Sequence, residues 1–238
     1  MSVVVITGTG TGVGKTVVTA GIAALALARG QRVAVLKPAQ TGVAAAEAGD
    51  LDEVRALVGD LTTRELRRFP DPLAPETAAR RVGMPPVRPS EVAGAAVELD
   101  HTHDLVLVEG AGGLLVRFDP DGGTLADVAW AMGAPVVVVA EPGLGTLNAT
   151  ALTAEALRRR GITCTGVVIG AWPDGPDLAA RCNVEDLPVV AQAPLVGAFP
   201  AGVGALDRSD FLAVARAALA PVLGGEFDPK DLAGDVRR

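Results

Sequence analysis

The sequence predicts an α/β fold with one doubly wound, mainly parallel sheet and helices on both of its faces. Two observations lead to this prediction. Short runs rich in valine and isoleucine recur along the chain, and alanine- and leucine-rich segments with helical spacing lie between them. Near-continuous apolar runs are typical of strands that are covered on both faces. Regular alternation of strand and helix predicts a parallel sheet, and such sheets bind ligands beyond the carboxyl ends of their strands.

The elements follow in chain order from these patterns. The predicted strands are 3–7, 32–37, 104–110, 134–142, 164–170 and 187–192. The predicted helices are 15–29, 50–58, 89–99, 124–132, 147–160 and 209–222. Gly30 and Gly161 follow two of these helices, at the position where a glycine commonly ends a helix. Asp50 and Ser209 are candidates for the N-cap of the helices that they open.

Two segments depart from this alternation. The stretch 70–89 contains six prolines in twenty residues, which predicts a rigid loop with one short helix around 76–82 because proline fixes its own backbone angle. A plain surface linker fits the same composition. Residues 224–238 are polar and are expected to form a loosely held tail. We therefore expect a single domain over 1–223 followed by a C-terminal tail.

Composition excludes several classes of function. The 238-residue chain has a net charge of −7 and no long basic run, whereas a nucleic-acid surface needs clustered lysine and arginine. No apolar stretch approaches the roughly 20 residues of a membrane-spanning helix, and the first residues do not resemble a secretory signal. We expect a cytoplasmic protein that binds neither nucleic acid nor membrane. Two cysteines and two histidines do not have the spacing of a metal site.

Residues 7–16 read TGTGTGVGKT and follow the first predicted strand directly. Glycines between a buried strand and a helix allow backbone amides to turn inward, and the helix adds its own unpaired N–H groups. The stretch therefore looks like a phosphate loop, with Lys15 on the outer phosphates and Thr16 offering its hydroxyl to magnesium. The strict motif would have glycine where this chain has Thr9. The alternative is a glycine-rich turn without a ligand.

Further polar residues follow the next two strands. Lys37 ends the second strand, with Thr41 four residues later, and Glu109 ends the third strand. Only three of the 21 basic residues are lysines, and a compact ammonium suits a phosphate where a guanidinium would be too large. A carboxylate after a buried strand commonly holds magnesium in such folds. Asp50 is a second candidate ligand, although an aspartate also suits the first turn of a helix.

The motifs TGTGTGVGKT, KPAQTG, GDLDEV, VEGAGGLLV, GLGTLNAT and PAG (200–202), in this order, resemble the dethiobiotin synthetases over about residues 3–207. The resemblance implies a P-loop NTPase fold and a carbon–nitrogen ligase of biotin biosynthesis. In this reaction 7,8-diaminononanoate takes up carbon dioxide as a carbamate, ATP phosphorylates the carbamate, and the second amine closes the ring. The implied co-substrate is ATP or another nucleoside triphosphate, and the implied cofactor is Mg²⁺.

The resemblance also assigns residues. Lys37 and Lys15 are implied to be catalytic, and Thr16, Asp50 and Glu109 are implied to hold magnesium. The implied nucleotide-binding residues are Gly12, Val13, Gly14, Lys15, Thr16, Val17, Asp50, Glu109, Gly110, Ala111, Gly112, Gly170, Ala171, Pro200, Ala201 and Gly202. The implied substrate-binding residues are Thr11, Lys37, Thr41, Pro72, Leu73, Leu144, Gly145, Leu147 and Asn148. In the family, the loop 141–150 faces the substrate carboxylate of a neighbouring subunit, which implies a homodimer. From the sequence alone, a plain strand-to-helix turn fits this loop at least as well.

One departure and several rival interpretations remain. Gly170 stands where many relatives have an asparagine that contacts adenine, so only backbone groups are available there. A nucleotide-switch ATPase of the partitioning or Min type shares this kind of loop, but those proteins have a lysine where this chain has Gly10. The segment 208–223 is also too weakly basic for a membrane-binding helix. A kinase-like or amidotransferring relative and a regulatory nucleotide-binding module are further alternatives.

Overall fold

The computed structural model describes residues 3–233, in which seven strands form one sheet with parallel pairing between all neighbours. The strands are β1 (Val3–Gly8), β2 (Val33–Thr41), β3 (Thr62–Phe69), β4 (Leu105–Gly113), β5 (Val136–Ala140), β6 (Cys164–Trp172) and β7 (Leu195–Pro200). Their order across the sheet is β3-β2-β4-β1-β5-β6-β7. The first strand is therefore central, and β4 lies between β1 and β2. The predicted doubly wound α/β fold is confirmed.

Helices cover both faces of this sheet. They are α1 (Lys15–Ala28), α2 (Asp50–Val58), α3 (Pro75–Val82), α4 (Pro89–Asp100), α5 (Leu125–Met132), α6 (Thr146–Arg159), α7 (Leu178–Ala191), α8 (Arg208–Ala218) and α9 (Pro229–Ala233). Successive residues of β1 point to opposite faces: Val5 packs with residues of α3 to α6, and Ile6 packs with residues of α1, α2 and α8. Burial on both faces explains why the central strands are near-continuous runs of valine and isoleucine.

Five of the six predicted strands are confirmed, and the sixth, at 187–192, is wrong. That segment belongs to α7, which begins after Asp177, whose carboxylate accepts a hydrogen bond of 2.7 Å from the Ala180 N–H. The apolar residues of 187–192 therefore continue an existing helix, and Pro188 lies inside it. The strand at this side of the sheet is β7, a few residues later.

Strand β3 was not predicted because its sequence, TTRELRRF, has no apolar run. It lies at the edge of the sheet and pairs only with β2. Three arginines along it pair with glutamates: Arg64 with Glu98, Arg67 with Glu91, and Arg68 with Glu65. Charged side chains are common on edge strands because they discourage pairing with another chain.

The ends of the helices confirm two expectations and correct two others. Gly30 and Gly161 have φ values of 77° and 67° and follow the ends of α1 and α6, as expected. Asp50 is the first helical residue of α2, whose N-cap is Gly49. Ser209 lies inside α8, whose N-cap is Asp207; the Asp207 carboxylate accepts from the N–H groups of Ser209 and Asp210.

The proline-rich stretch contains the expected short helix as α3. The expectation of a loosely held tail is wrong for 224–233. Phe227 is buried against β6, β7 and α7, and its N–H donates to the Leu219 carbonyl at 2.9 Å. Residues 234–238 lie outside the described residues, and the division of the chain at residue 223 stays a prediction. Within 3–233, none of the helices has the length and apolar character needed to cross a lipid bilayer.

Candidate active site

The loop between β1 and α1 has the form expected of a phosphate loop. Gly12 and Gly14 adopt φ values of 77° and 93°, a left-handed region that favours glycine. Gly14 is the N-cap of α1, so the helix begins at Lys15. The Lys15 ammonium donates a hydrogen bond of 2.9 Å to the Gly10 carbonyl. The first turn of α1 offers N–H groups without partners in the helix, a suitable environment for an anion.

The phosphate loop packs directly on the backbone of β6. A Cβ atom added to Gly14 would lie 2.6 Å from the Gly170 carbonyl oxygen, and one added to Gly170 would lie 1.9 Å from the Val13 carbonyl oxygen. Neither position accepts a side chain unless the backbone moves. Gly170 therefore supports the loop through its lack of a side chain, and its contact with a nucleobase stays a prediction.

Lys37 joins two acidic residues from different elements. Its ammonium donates to the carboxylate of Asp50, at the start of α2, and to Glu109 Oε1 on β4 at 2.8 Å. A third hydrogen bond of 3.2 Å goes to the Gly110 carbonyl. The Thr16 hydroxyl also donates to Glu109 Oε1, at 3.1 Å. The structure thus brings together the side chains that the sequence predicts from four separate segments, because β4 lies between β1 and β2.

Burial and charge set the protonation of this cluster. Burial lowers the pKa of Lys37, but the carboxylates of Glu109 and Asp50 more than offset this, and the net shift is upward. Burial raises the pKa of Asp50, and the Lys37 ammonium outweighs this effect, so the net shift is downward. Burial and repulsion from Lys37 lower the pKa of Lys15. Lys37 and Asp50 are therefore charged at neutral pH.

A cavity of about 680 Å³ opens beside this cluster. The predicted residues that line it are Thr11, Gly12, Gly14, Lys15, Thr16, Val17, Lys37, Thr41, Asp50, Pro72, Leu73, Gly110, Ala111 and Gly112. Glu109 is almost fully buried and reaches the cavity through its contacts with Lys37 and Thr16. Of the proline-rich stretch, residues 72–75 form part of the wall.

The other predicted residues lie in two further groups. Gly170 and Ala171 lie on β6, and Pro200, the last residue of β7, is followed by Ala201 and Gly202. The two segments meet at Trp172, which pairs with Pro200 and whose carbonyl accepts from the Ala201 N–H at 2.7 Å. Leu144, Gly145, Leu147 and Asn148 lie at the start of α6. Asn148 lines a second cavity of about 390 Å³ with Thr9, residues 113–116, Ala149, Leu152, Thr153 and Ala156. Leu144 is 93% exposed.

Sequence reasoning missed several residues of the main cavity. They are Ala39, Gln40, Glu53, Pro75 and Val116. Glu53 lies three residues after Asp50 on α2, a spacing that places both on one helix face and could have identified it. Burial raises the pKa of the Glu53 carboxyl, and the nearby Asp50 and Glu109 carboxylates raise it further. Gln40 lies within the motif KPAQTG, but nothing in its residue type indicated a role.

The donor set fits a magnesium ion. Thr16, Asp50 and Glu109 offer hydroxyl and carboxylate oxygens, the ligands that Mg²⁺ prefers. Thr16 and Glu109 are in direct contact, and Lys37 holds both carboxylates. Within residues 3–233, no three His, Cys, Asp or Glu side chains converge as metal ligands. Magnesium commonly takes one or two carboxylates from the protein and further ligands from phosphates and water.

Comparisons with known proteins agree with this geometry. A family model described as an AAA domain matches residues 2–202. A protein of Saccharopolyspora erythraea is 68% identical over 227 residues, which cover 95% of this chain and 99% of that protein. A protein of Streptomyces coelicolor is 63% identical over 235 residues, which cover 99% of this chain and 98% of that protein. Both are named ATP-dependent dethiobiotin synthetase BioD.

Solved structures show the same fold at much lower identity. The MinC:MinD cell division complex of Aquifex aeolicus aligns with a TM-score of 0.57 and 17% identity, covering 90% of this chain and 86% of that chain. MinD of Pyrococcus horikoshii, complexed with Mg-ADP, aligns with a TM-score of 0.55 and 18% identity, covering 99% of this chain and 96% of that chain. Likeness at this level establishes the fold alone, whereas the sequence relatives match closely along nearly the whole chain. The chain belongs to the family of the ATP-dependent dethiobiotin synthetases.

Proposed function

We propose that this chain converts 7,8-diaminononanoate and carbon dioxide into dethiobiotin, with ATP as co-substrate and ADP and phosphate as products. The observation that supports this most directly is the buried Lys37 ammonium, which holds Asp50 and Glu109 beside the start of α1. Such a site places positive charge next to the expected position of the nucleotide phosphates. Relatives at 63–68% identity carry the name of this activity.

The proposed chemistry needs no nucleophilic side chain. One substrate amine attacks carbon dioxide and loses a proton, which gives a carbamate. A carbamate oxygen then attacks the γ-phosphorus of ATP, and the bond to ADP breaks. The second amine attacks the carbonyl carbon of the resulting carbamic-phosphoric anhydride, phosphate leaves with the bonding electrons, and loss of a proton completes the ring. The protein has to position these groups and stabilise negative charge.

Lys15 and Lys37 would supply that stabilisation. Lys15 is the first residue of α1, and its charge adds to that of the helix N-terminus. Lys37 lines the same cavity. Negative charge on the transferring phosphoryl group is shared among its oxygens, so two ammonium groups in a partly water-excluded site favour the transition state. Lys37 is already oriented by Asp50, Glu109 and the Gly110 carbonyl, which reduces the reorganisation needed during reaction.

Magnesium would be held by Thr16, Asp50 and Glu109. When bound, it would neutralise negative charge on the nucleotide phosphates. The three side chains come from α1, α2 and β4. Thr16 contacts Glu109, and the Lys37 ammonium joins Glu109 to Asp50. Orientation of these oxygens by the protein would set the position of the phosphates relative to Lys15.

The substrate would occupy the part of the cavity between Lys37 and the proline-rich stretch. Thr11 and Thr41 offer hydroxyls there, and Pro72 and Leu73 offer apolar surface to an aliphatic chain. The nucleobase would lie near Gly170, Ala171 and residues 200–202. The start of α6, from Leu144 to Asn148, would contact the substrate carboxylate of a second subunit, so we propose a homodimer. We place the protein in the cytoplasm, without a nucleic-acid or membrane partner.

The reaction can be tested with purified protein, diaminononanoate, bicarbonate, MgCl₂ and ATP. Phosphate release should require the diamine, and mass spectrometry should detect a product heavier than the diamine by one carbonyl carbon and oxygen, less two hydrogens. Other nucleoside triphosphates in the same assay would define the base preference. Phosphate release at the same rate without the diamine would contradict the proposal and favour a nucleotide-switch ATPase.

The proposed dimer can be tested by mixing two inactive variants. Lys37→Ala removes a group of the main cavity, and Asn148→Ala combined with Leu144→Asp alters the start of α6. If each site uses both subunits, random exchange should restore about one quarter of the sites in the mixture. No recovery after confirmed subunit exchange would contradict a shared site.

A further inference from the structure

Gln40 makes two hydrogen bonds to one residue of the proposed magnesium site. It lies on β2, three residues after Lys37, and only 3% of it is exposed. Its Oε1 accepts from the backbone N–H of Asp50 at 2.9 Å, and its Nε2 donates to Asp50 Oδ1 at 3.3 Å. A single side-chain amide thus holds both the backbone and the carboxylate of Asp50.

The Gln40 side chain provides an acceptor for a backbone N–H at the start of α2. The N-cap of α2 is Gly49, which has no side chain to accept from the first turn. A Cβ atom at Gly49 would lie 2.9 Å from Gln40 Oε1, so the glycine leaves the space that the glutamine occupies. Gln40 therefore accepts from the first N–H group of α2 from a neighbouring strand, whereas an N-cap side chain normally accepts from the second or third residue of the helix.

The two oxygens of Asp50 have different partners. Oδ2 contacts the Lys37 ammonium, and Oδ1 faces the Gln40 amide. With both oxygens engaged, the carboxylate has one preferred orientation. A neutral amide can donate to this carboxylate without the repulsion that a glutamate at position 40 would introduce.

We infer that Gln40 is a positioning residue that fixes the Asp50 carboxylate for binding a divalent cation with the nucleotide. The inference rests on the proposed function, since it takes Asp50 as a ligand of magnesium. Partners behind a metal ligand commonly orient it, and their loss weakens metal binding without removing a ligand. Gln40 itself touches neither the cation nor the reacting groups in this assignment.

The test uses Mn²⁺ as a probe, measured by electron paramagnetic resonance in the presence of a non-hydrolysable ATP analogue. Gln40→Met keeps the length of the side chain and removes both hydrogen bonds. Gln40→Asn keeps the amide and shortens its reach, which provides a second variant if the first does not fold. Both should weaken Mn²⁺ binding by about ten-fold, while the affinity for the analogue without metal changes less than two-fold. In turnover assays, the Mg²⁺ concentration for half-maximal rate should rise by a similar factor.

Two controls separate the possible outcomes. Asp207→Ala removes the N-cap of α8, away from the cavity, and should lower the melting temperature without changing Mn²⁺ affinity. Asp50→Asn removes the proposed ligand and should weaken Mn²⁺ binding more than either Gln40 variant. If Gln40→Met binds Mn²⁺ as tightly as the wild type while Asp50→Asn loses Mn²⁺ affinity, the inference is overturned and the proposed function is unaffected. An unchanged Mn²⁺ affinity in Asp50→Asn would show that Asp50 is not a metal ligand, and would overturn both that assignment and the inference about Gln40.

Discussion

The Lys37 ammonium lies 2.8 Å from Glu109 Oε1, and the two side chains are only 3% and 1% exposed. Lys37 also contacts Asp50, so one buried cation faces two carboxylates. Burial of charge is costly unless the charges are paired and hydrogen-bonded. The pairing therefore links the proposed catalytic role of Lys37 to the stability of the fold, because the same ammonium would serve both.

Replacing Lys37 by methionine should destabilise the protein in a pH-dependent way. Breaking a buried ion pair by removing one partner typically costs about 3–5 kcal/mol near neutral pH. In the wild type the pKa of Asp50 is below its ordinary 3.8, so its stabilisation is complete above that value and is lost as the pH falls through the lowered value. Without Lys37, burial would raise the pKa of Asp50, so the carboxyl would bind a proton at a higher pH than in the wild type. The difference in unfolding free energy between the wild type and Lys37→Met should therefore become smaller as the pH falls from 7 to 4, as measured by urea denaturation.

The chain offers a matched control, because its third lysine, Lys230, is exposed on α9. Lys230→Met should change the free energy of unfolding by less than about 0.5 kcal/mol at any pH in this range. A Lys37→Met variant whose destabilisation is constant from pH 7 to pH 4 would show that Lys37 does not control the protonation of the buried carboxylates.

The same Lys37→Met variant should lose turnover and keep the nucleotide. Removing one donor of transition-state charge stabilisation commonly lowers kcat by about a hundred-fold or more. Lys15 and the N-terminus of α1 remain to bind phosphates, so the dissociation constant for ATP should change by only several-fold, measured by calorimetry. A loss of ATP binding that matches the loss of turnover would contradict the role assigned to Lys37.

Gly170→Ala should weaken nucleotide binding from a position outside the phosphate loop. Its new Cβ would lie 1.9 Å from the Val13 carbonyl oxygen, so the loop or β6 must move. We expect the dissociation constant for ATP to rise by about ten-fold and the stability to fall by about 1–3 kcal/mol. Gly94→Ala is the control: this exposed glycine in α4 has open space around it, and the change should stabilise the helix by about 0.5–1 kcal/mol. Equal ATP affinity in both variants would show that contact with β6 does not shape the loop.

Arg68 should matter more for stability than Arg64 on the same strand. Arg68 makes two hydrogen bonds of 2.8 Å with Glu65 and donates to the carbonyls of Ala44 and Glu47 in the segment that leads to Asp50. Arg68→Ala should cost about 1.5–3 kcal/mol, the range for hydrogen bonds to charged groups. Arg64→Ala removes only the exposed pair with Glu98 and should cost about 0.2–1 kcal/mol. Urea denaturation of both variants distinguishes these values, and equal losses would contradict the structural role of Arg68.

The sequence predicts the interior of the sheet better than its edges. Strands β1, β2, β4, β5 and β6 have long apolar runs because helices cover both of their faces. Strand β3 pairs on one side only and is rich in arginine, so no hydrophobic pattern indicates it. The error at 187–192 has the opposite cause: a short apolar run fits a strand or a buried helix, and only the earlier N-cap at Asp177 decides between them.

The sequence indicates which side chains lie together where residue type and position relative to a strand are both informative. Lys37 and Glu109 come directly after the apolar runs of β2 and β4, and the structure places them in contact. Gln40 could not be identified in this way, because its role depends on the distance between β2 and the start of α2. The close approach of Gly14 and Gly170 likewise depends on how β6 lies beside the loop. A glycine near the end of a strand can equally mark a bulge or a bend, so its residue type alone does not indicate a neighbouring backbone.

The packing of the phosphate loop on β6 also brings the loop against a strand that ends in a tryptophan. The sequence has two tryptophans and no tyrosine. Trp172 ends β6 two residues after Gly170, whereas Trp130 lies on α5 and is 68% exposed. Because no side chain separates the loop from β6 at Gly14 and Gly170, a ligand that shifts the loop would also displace the strand that carries Trp172. We therefore expect nucleotide binding to change the fluorescence of Trp172 and to leave that of the exposed Trp130 unchanged.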